Sequence, residues 1–268
     1  MDISSSESIN LILQHSLQKT TKELENITTR LSYGKQTRAF ENAANLIISE
    51  SMEADRRGSQ QAIENSMAGM NMLSTAESGL SSVNENLQRI RELTLQRRNG
   101  TYGDEEKAAI DQEINALKEE IDRVADSTSF NNINLLDGSA SDVSLQVGPD
   151  SEEETNTKDV SEPLGSVRTE DLGLGDPSDP DFLDQIDSAL REVTSRRADI
   201  GAFQNGLEST ISSLQVREEN ITSSQSRLID VDVAKEVSKL TQNQILQNAT
   251  VSLMAQANQM PQIAQTLL

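Results

Sequence analysis

The chain has 268 residues and a formal net charge of -21; 34% of it is hydrophobic, 2% is aromatic, and it has no Trp. So few aromatics argue against a bulky globular core and favour helices touching along narrow seams, while the acidity argues against duplex nucleic acid and anionic membrane surfaces as partners. Without Cys there are no disulfides and no thiolate metal sites, a usage compatible with secretion without oxidative folding.

The first residues, MDISSSESINLILQHSLQ, show no basic n-region, no continuous apolar stretch and no small-residue cleavage site, so a cleaved signal peptide is not expected. Leu13, Leu17, Leu24, Ile27 and Leu31 follow at alternating steps of three and four, with Thr20 in the open position. That is a heptad seam, and it predicts a helix ending near Tyr33-Gly34, followed by an irregular connection that contains Phe40.

A second helix is expected from Asn42–Ala44 to about Arg98. Its seam is Ile63, Met67, Met70, Leu73, Ala76, Leu80, Val83, Leu87, Ile90 and Leu93. Asn99-Gly100 and Gly103 mark a turn, Asp104 is the expected cap, and Ile110, Ile114, Leu117, Ile121 and Val124 line a third, antiparallel helix.

Between Gly138 and Asp181 the helical pattern stops. Twelve acidic residues face two basic ones there, and Pro149, Pro163, Pro177 and Pro180 fall in the same stretch. Ser144 to Val147 alternate enough for a short strand, and the remainder reads as a hairpin and solvated surface loop. Helix resumes with Pro180 in its first turn and Asp179 as its cap. Ile186, Val193, Ile200, Leu207, Leu214, Ile221 and Leu228 then recur every seven residues, with Leu190, Phe203 and Ile211 in the companion row, which Arg197 and Glu218 interrupt. The run spans roughly 60 Å, and its strict seven-residue period implies mild left-handed supercoiling.

The last stretch, Thr241 to Leu268, contains no Asp, Glu, Lys or Arg. Its many Gln and Asn amides exclude a membrane span, so the lack of charge points to burial in protein. Leu246, Ala249, Leu253, Met260, Ile263 and Leu267 form one stripe, and Val251, Met254 and Ala255 lie on another face. The expected fold is therefore mainly α: a long antiparallel helical rod or coiled-coil bundle, its N- and C-terminal helices paired, with a small β-hairpin and loop excursion. The outward apolar stripe of the terminal pair is left to meet other subunits.

Several strings resemble bacterial flagellin closely: TRLSYG (29–34), NAANLIISE (42–50), MAGMNMLSTAESGLSSVNENLQRIRELTLQRRNGT (67–101) and EIDRVADSTSFNNINLLDG (120–138). SRRADIGAFQNGLESTI (195–211) and ILQNATVSLMAQANQMPQIAQTLL (245–268) continue the match in the family's order. The resemblance implies a structural subunit of the extracellular bacterial flagellar filament used for swimming, a helical tube of many copies, with no enzymatic activity and no cofactor. It implies terminal helices that fold into the tube's inner wall on assembly, an ordering cost offset by many repeated contacts. Leu13, Leu17, Leu24, Ile27, Leu31, Leu246, Ala249, Leu253, Met254 and Met260 would pack there between subunits.

The same resemblance implies type III export through the flagellar channel on an uncleaved N-terminal signal, an export chaperone bound to the C-terminal region, and contact with filament cap and hook-junction proteins. It divides the chain into an inner-core helix and connector (1–40), the two parts of an outer helical domain (41–137 and 181–226), the acidic excursion in place of variable domains (138–180), and a C-terminal inner-core helix (227–268). The connection SYGKQTRAFENAANLIISE is one residue shorter than the family's usual string and lacks its RIN segment, so a different shape is expected there. With no inserted outer domains, the filament should be thin and acidic outside.

In family members sensed by the animal flagellin-binding Toll-like receptor, the contact motif is LQRxREL plus a Glu on the next helix. Here it is Leu87 to Leu93, and Gln88, Arg89, Leu93 and Glu113 match; subunit packing accounts for the same residues. Asn26, Asn99, Asn220 and Asn248 open Asn-X-Ser/Thr triplets, which arise by chance in Ser/Thr-rich sequence. O-linked sugars on exposed Ser or Thr are what the resemblance implies. His15 is the single His, so a two-His zinc site is not to be had, and its place beside Leu13 and Leu17 favours packing over a place in a catalytic triad. Glu152, Glu153 and Glu154 read as solvated charge, not a calcium loop. Two competing readings are a hook-filament junction protein of the same family and, from a different class, a secreted coiled-coil effector or translocator.

Overall fold

The structure, a computed structural model, describes residues 3–36, 43–140, 142–150, 152 and 156–266, the side chains of 3–7, 9 and 260–266 excepted. Helix α1 is Ile3–Tyr33, α2 Ala43–Arg97, α3 Asp104–Ser127, α4 Phe182–Ile229 and α5 Val233–Thr266. Two small antiparallel pairs interrupt them: β1 (Ser129–Phe130) with β2 (Ile133–Asn134), and β3 (Ser144–Gln146) with β4 (Thr157–Asp159). Phe40 and Met260, both named from the sequence, lie outside the described residues and side chains respectively.

The chain divides into two compact units, one formed by 55–220 and the other by 1–54 with 221–268. In the first, α2 and α4 run antiparallel. Arg56 pairs with Glu218 at 3.4 Å and Arg197 with Glu77 at 2.7 Å, so partner numbers fall on one helix as they rise on the other. Arg197 and Glu218 are the residues that interrupt the companion row of α4, and each interruption is an ion pair to α2. The main row fares as its spacing predicts: Ile186, Val193, Ile200 and Leu207 are fully buried, with Leu214 close behind. They close on Leu73, Ala76, Leu80, Val83, Leu87, Ile90 and Leu93 of α2 and on Ile110, Ile114 and Ile121 of α3.

Met67 does not belong to that seam: it is exposed, and Ala62, Ser66 and Met72 occupy buried positions on the helix. The buried line keeps a seven-residue period through Ser59, Ser66, Leu73, Leu80, Leu87 and Thr94, so Ser66 and not Met67 holds the seam position. Small hydroxyls sit on this line because each is satisfied inside the helix. Ser59, Ser66 and Thr94 donate to the carbonyls of Asp55, Ala62 and Ile90 at 2.7–2.8 Å.

Two local expectations need correction, and one element is unforeseen. Asp104 is the first helical residue of α3, not its cap; Gly103 takes the cap position without a side-chain bond, and Asp104, Glu105 and Glu106 complement the helix N-terminus by charge alone. Helix α4 starts at Phe182, so Pro180 and Asp179 lie in the preceding turn, where the Phe182 N–H donates to the Asp179 carbonyl at 3.3 Å. The hairpin β1–β2 is not legible from periodicity, being two residues on each side of Asn131 and Asn132; their φ of 48° and 66° define a primed turn that Asn tolerates.

The acidic stretch is more than a surface excursion. Val147, Val160, Pro163, Leu164, Val167, Leu172 and Leu174 are buried. The Thr169 N–H and hydroxyl donate to the Asp122 carboxylate at 2.7 and 2.9 Å, and Lys118 Nζ donates to the carbonyls of Leu174 and Gly175 at 3.1 and 2.8 Å. The Gly175 N–H donates to Gln185 Oε1 at 2.8 Å, tying the same strap to α4. Its apolar residues are spaced without a period, so no helical or strand template finds them, yet each caps the helical core. On the other side, Gly79 lets the hairpin approach α2: a Cβ there would lie 2.7 Å from both Leu136 Cδ1 and Thr128 Oγ1.

Candidate functional site

The second unit is built on the terminal helices. Helix α1 presents Asn10, Leu13, Leu17, Thr20, Leu24, Ile27 and Leu31 as its buried or half-buried line, the seam that the sequence predicts. Thr20 fills the apolar gap because its hydroxyl donates to the Ser16 carbonyl at 2.9 Å. Helix α5 lies antiparallel to it. Asn10 bonds Asn258 at 3.1 Å, Thr21 bonds Gln247 at 3.4 Å, and Arg30 pairs with Glu236 at 3.4 Å.

The pair is clamped at one end by backbone. Gly34, at φ 67° just past the end of α1, accepts the Val231 N–H at 3.1 Å, and Lys35 bridges Asp230. Asp232 then caps α5, accepting the Lys235 N–H on its side chain at 3.1 Å and the Glu236 N–H on its carbonyl at 2.9 Å. Beside this clamp sits Glu236, only 5% exposed, held by Arg30 and by Lys239 at 3.2 Å. Sequence reasoning missed this buried ion pair. The signal that could have found it is spacing: Glu236 opens the line Leu240, Asn243, Gln247, Thr250, Met254 and Ala257, at steps of three and four, which is the buried or half-buried line of α5.

That line is mostly polar, so α1 supplies most of the apolar contact between the two helices. Most of the apolar side chains of α5 point elsewhere. Val237, Ile245, Leu246, Val251 and Leu253 are exposed, Leu253 by 53% and Ile245 by 63%, as are Leu11 and Ile12 on α1. Of the residues singled out on α5, Met254 is half-buried in line with the α1-facing positions, whereas Leu246, Ala249 and Leu253 are exposed. Among the described residues of this unit, Ile27 and Ile229 are the buried hydrophobic ones. Apolar side chains left exposed on more than one face of a helix point to interactions beyond its α1 partner.

The receptor-motif residues lie in the other unit. Arg89, half exposed, donates through Nε and Nη2 to Glu113 Oε1 at 3.2 and 2.8 Å and through Nη1 to Glu92 at 3.2 Å. The bond to Glu113, then that to Glu92, holds its guanidinium above the ordinary arginine value. Gln88 is exposed on the preceding position, but Leu93 is 2% exposed and belongs to the core. Among the described residues no cluster of three or more His, Cys, Asp or Glu could hold a metal ion, and no helix is long and apolar enough to cross a membrane.

A long antiparallel helical core together with a terminal helix pair that has uncovered apolar faces is the build of a polymerising subunit. Comparison with known proteins agrees. Residues 5–141 match the bacterial flagellin N-terminal helical region and 183–268 the bacterial flagellin C-terminal helical region. The chain is 39% identical over 256 residues to a flagellin of Halalkalibacterium halodurans, covering 94% of this chain and 93% of that one. It is 36% identical over 284 aligned positions to a flagellin of Bacillus subtilis, covering 92% of each. A solved structure described as a putative flagellar hook-associated protein from Vibrio parahaemolyticus shares the fold, with a TM-score of 0.58 at 16% identity over 71% of this chain and all of that one.

The chain belongs to the bacterial flagellin family and is a structural subunit of the flagellar filament. Junction-protein and effector readings are not favoured, since its full-length relatives are flagellins, which are structural proteins and polymerise into filaments of many copies.

Proposed function

We propose that the subunit polymerises through its terminal helix pair, with Leu13, Leu17, Leu24, Ile27 and Leu31 fixing α1 against α5 while Leu246, Ala249 and Leu253 pack on neighbouring copies. Met254 bridges the two roles, and Met260 is assigned to the same packing from its place in the sequence stripe. The observation that carries this reading is the exposure of Val237, Ile245, Leu246, Val251 and Leu253 on a helix whose last charged residue is Lys239. Such a face meeting a different face of the next copy is a heterologous contact, which generates an open helical array rather than a closed ring. Electron microscopy of purified protein, dissociated by heat and returned to neutral pH, tests it: long tubes are expected, and soluble monomers with fully folded termini would reject it.

In this reading the filament is extracellular and drives swimming, residues 1–40 and 227–268 form its inner core, 41–137 with 181–226 its outer helical layer, and 138–180 an acidic strap on that layer. Export unfolded through the flagellar type III channel, masking of the C-terminal region by an export chaperone, and contacts with the filament cap and hook-junction proteins complete the proposal. Deleting the last forty or so residues should abolish chaperone capture; retained capture would reject the masking role. For the animal flagellin-sensing receptor, Gln88, Arg89 and Glu113 supply an exposed polar patch, while Leu93 acts from beneath by packing. Arg89→Ala should weaken receptor activation, and unchanged activation would remove that role.

A further inference from the structure

We propose that Asn99, in the turn joining α2 to α3, is a site of spontaneous covalent modification through a succinimide, ending as aspartate and isoaspartate. The sequence contains two Asn-Gly pairs, Asn99-Gly100 and Asn205-Gly206, and both Asn side chains are exposed. Their backbones differ. Asn99 follows the last turn of α2, whereas Asn205 lies inside α4. Cyclisation requires the peptide nitrogen of the following residue to reach the side-chain Cγ, which helical dihedrals forbid and a non-helical turn permits.

The turn favours the reaction in two further ways. The Thr101 N–H donates to Asn99 Oδ1 at 3.2 Å, placing a donor on the oxygen where negative charge gathers as Cγ becomes tetrahedral. A Cβ built on Gly100 would meet nothing within 4 Å, so neither a side chain nor a packed neighbour obstructs rotation of the peptide toward Cγ. At Gly206, by contrast, Lys158 Nζ lies 2.9 Å from the equivalent point and the peptide belongs to the helix. Asp137-Gly138, an aspartyl counterpart, is restrained differently: its carboxylate accepts the Ser139 N–H and hydroxyl at 2.9 and 2.6 Å and Asn134 Nδ2 at 2.8 Å. An ionised, triply bonded carboxylate is a poor electrophile.

In the step itself, hydroxide removes the Gly100 peptide proton and the nitrogen attacks Asn99 Cγ. The N–Cγ bond forms, the Cγ–Nδ2 bond breaks, and ammonia leaves with a proton from water. Water then opens the imide at either carbonyl. Opening at Cγ gives aspartate on the original backbone; opening at the α-carbonyl routes the chain through Cγ and adds one methylene to it. Either product places a new negative charge between the Arg97-Arg98 pair and Asp104, Glu105 and Glu106. The isoaspartyl form also lengthens the turn closed by the Tyr102 N–H on the Asn99 carbonyl at 3.3 Å.

The test incubates the full-length folded protein at mildly alkaline pH, with peptide mapping for the one-unit mass gain at each Asn and isoaspartyl methyltransferase labelling for the branched product. Conversion at Asn99 should outpace that at Asn205 by about tenfold or more, because reaction at Asn205 requires local opening of α4. In denatured chain the two sites should react alike. Gly100→Ala should slow Asn99 to the Asn205 rate while leaving helix content and unfolding temperature unchanged. Equal rates at the two sites in folded protein, or a glycan occupying Asn99 in native filaments, would overturn the proposal.

Discussion

The two compact units are written in the same sequence grammar and come out differently. In residues 55–220 the heptad rows of α2 and α4 are buried to the last atom at Leu73, Leu80, Leu87, Ile186, Val193 and Ile200. In the terminal unit an equally regular row on α1 finds a mostly polar partner line on α5, and most of the apolar residues of α5 stay exposed. Apolar periodicity states which residues share a face; it does not state whether the same chain supplies what that face needs. One unit is finished by its own sequence, and in the proposed assembly further copies supply what the other lacks.

Substitutions in the two units should therefore separate stability from assembly. The largest stability loss is expected from Phe182→Ala, since Phe182 is fully buried where α4 begins: about 3–5 kcal/mol, read as a lower midpoint in denaturant. Ile114→Ala in α3 should follow at about 2–5 kcal/mol. Next comes Arg30→Ala, which leaves the 5% exposed Glu236 with Lys239 alone. Breaking a buried pair from one side costs up to about 3–5 kcal/mol, and the loss should fall on the terminal unit, seen as faster amide exchange in α1 and α5 with none in α3. The Arg197–Glu77 pair is one-third exposed on both sides, so Arg197→Met should cost only about 1 kcal/mol or less.

The smallest effect is one of pH. Asp159 and Asp176 each accept the hydroxyl and N–H of the Ser two residues on, Ser161 and Ser178, and the hydroxyl bond foremost holds both carboxyls below the ordinary aspartate value. Such groups favour the folded form above the unfolded value, about 3.9. That contribution disappears as pH falls through the lower folded value. Limited proteolysis below about pH 4 should therefore open the strap 138–181 before the helices lose their circular dichroism. Cleavage first in α3 would contradict this order.

Much of this architecture is legible in the sequence because a rod repeats. The row from Ile186 to Leu214, the α1 seam, and the helix ends near Tyr33 and Arg97 all follow from spacing and turn residues. What escapes lacks repetition. Leu164, Val167, Leu172 and Leu174 are buried singly in an acidic, Pro-rich stretch, where composition argues for solvent. The β1–β2 hairpin is too short to alternate, and only the Asn131-Asn132 pair announces it. Met67 is misplaced because apolar character favours it, whereas the seven-residue register from Leu80 and Leu73 places the buried Ser66 in the seam. At the terminal unit the sequence marks the uncharged face as unusual, while the Arg30–Glu236 pair stays hidden because a charged residue at a seam position reads as an interruption until its partner is seen.

The central claim is that the α5 outer face is completed by other copies and contributes nothing to the outer helical core. Leu253→Asp tests it most directly, with electron microscopy for filaments and thermal unfolding for the core measured on the same sample. A charge at a 53% exposed position is tolerated in the free chain, but burying it unpaired between subunits is costly. The expected result is loss of filaments with an unchanged unfolding temperature. Filaments of normal length, or a core that melts with the substitution, would contradict the account.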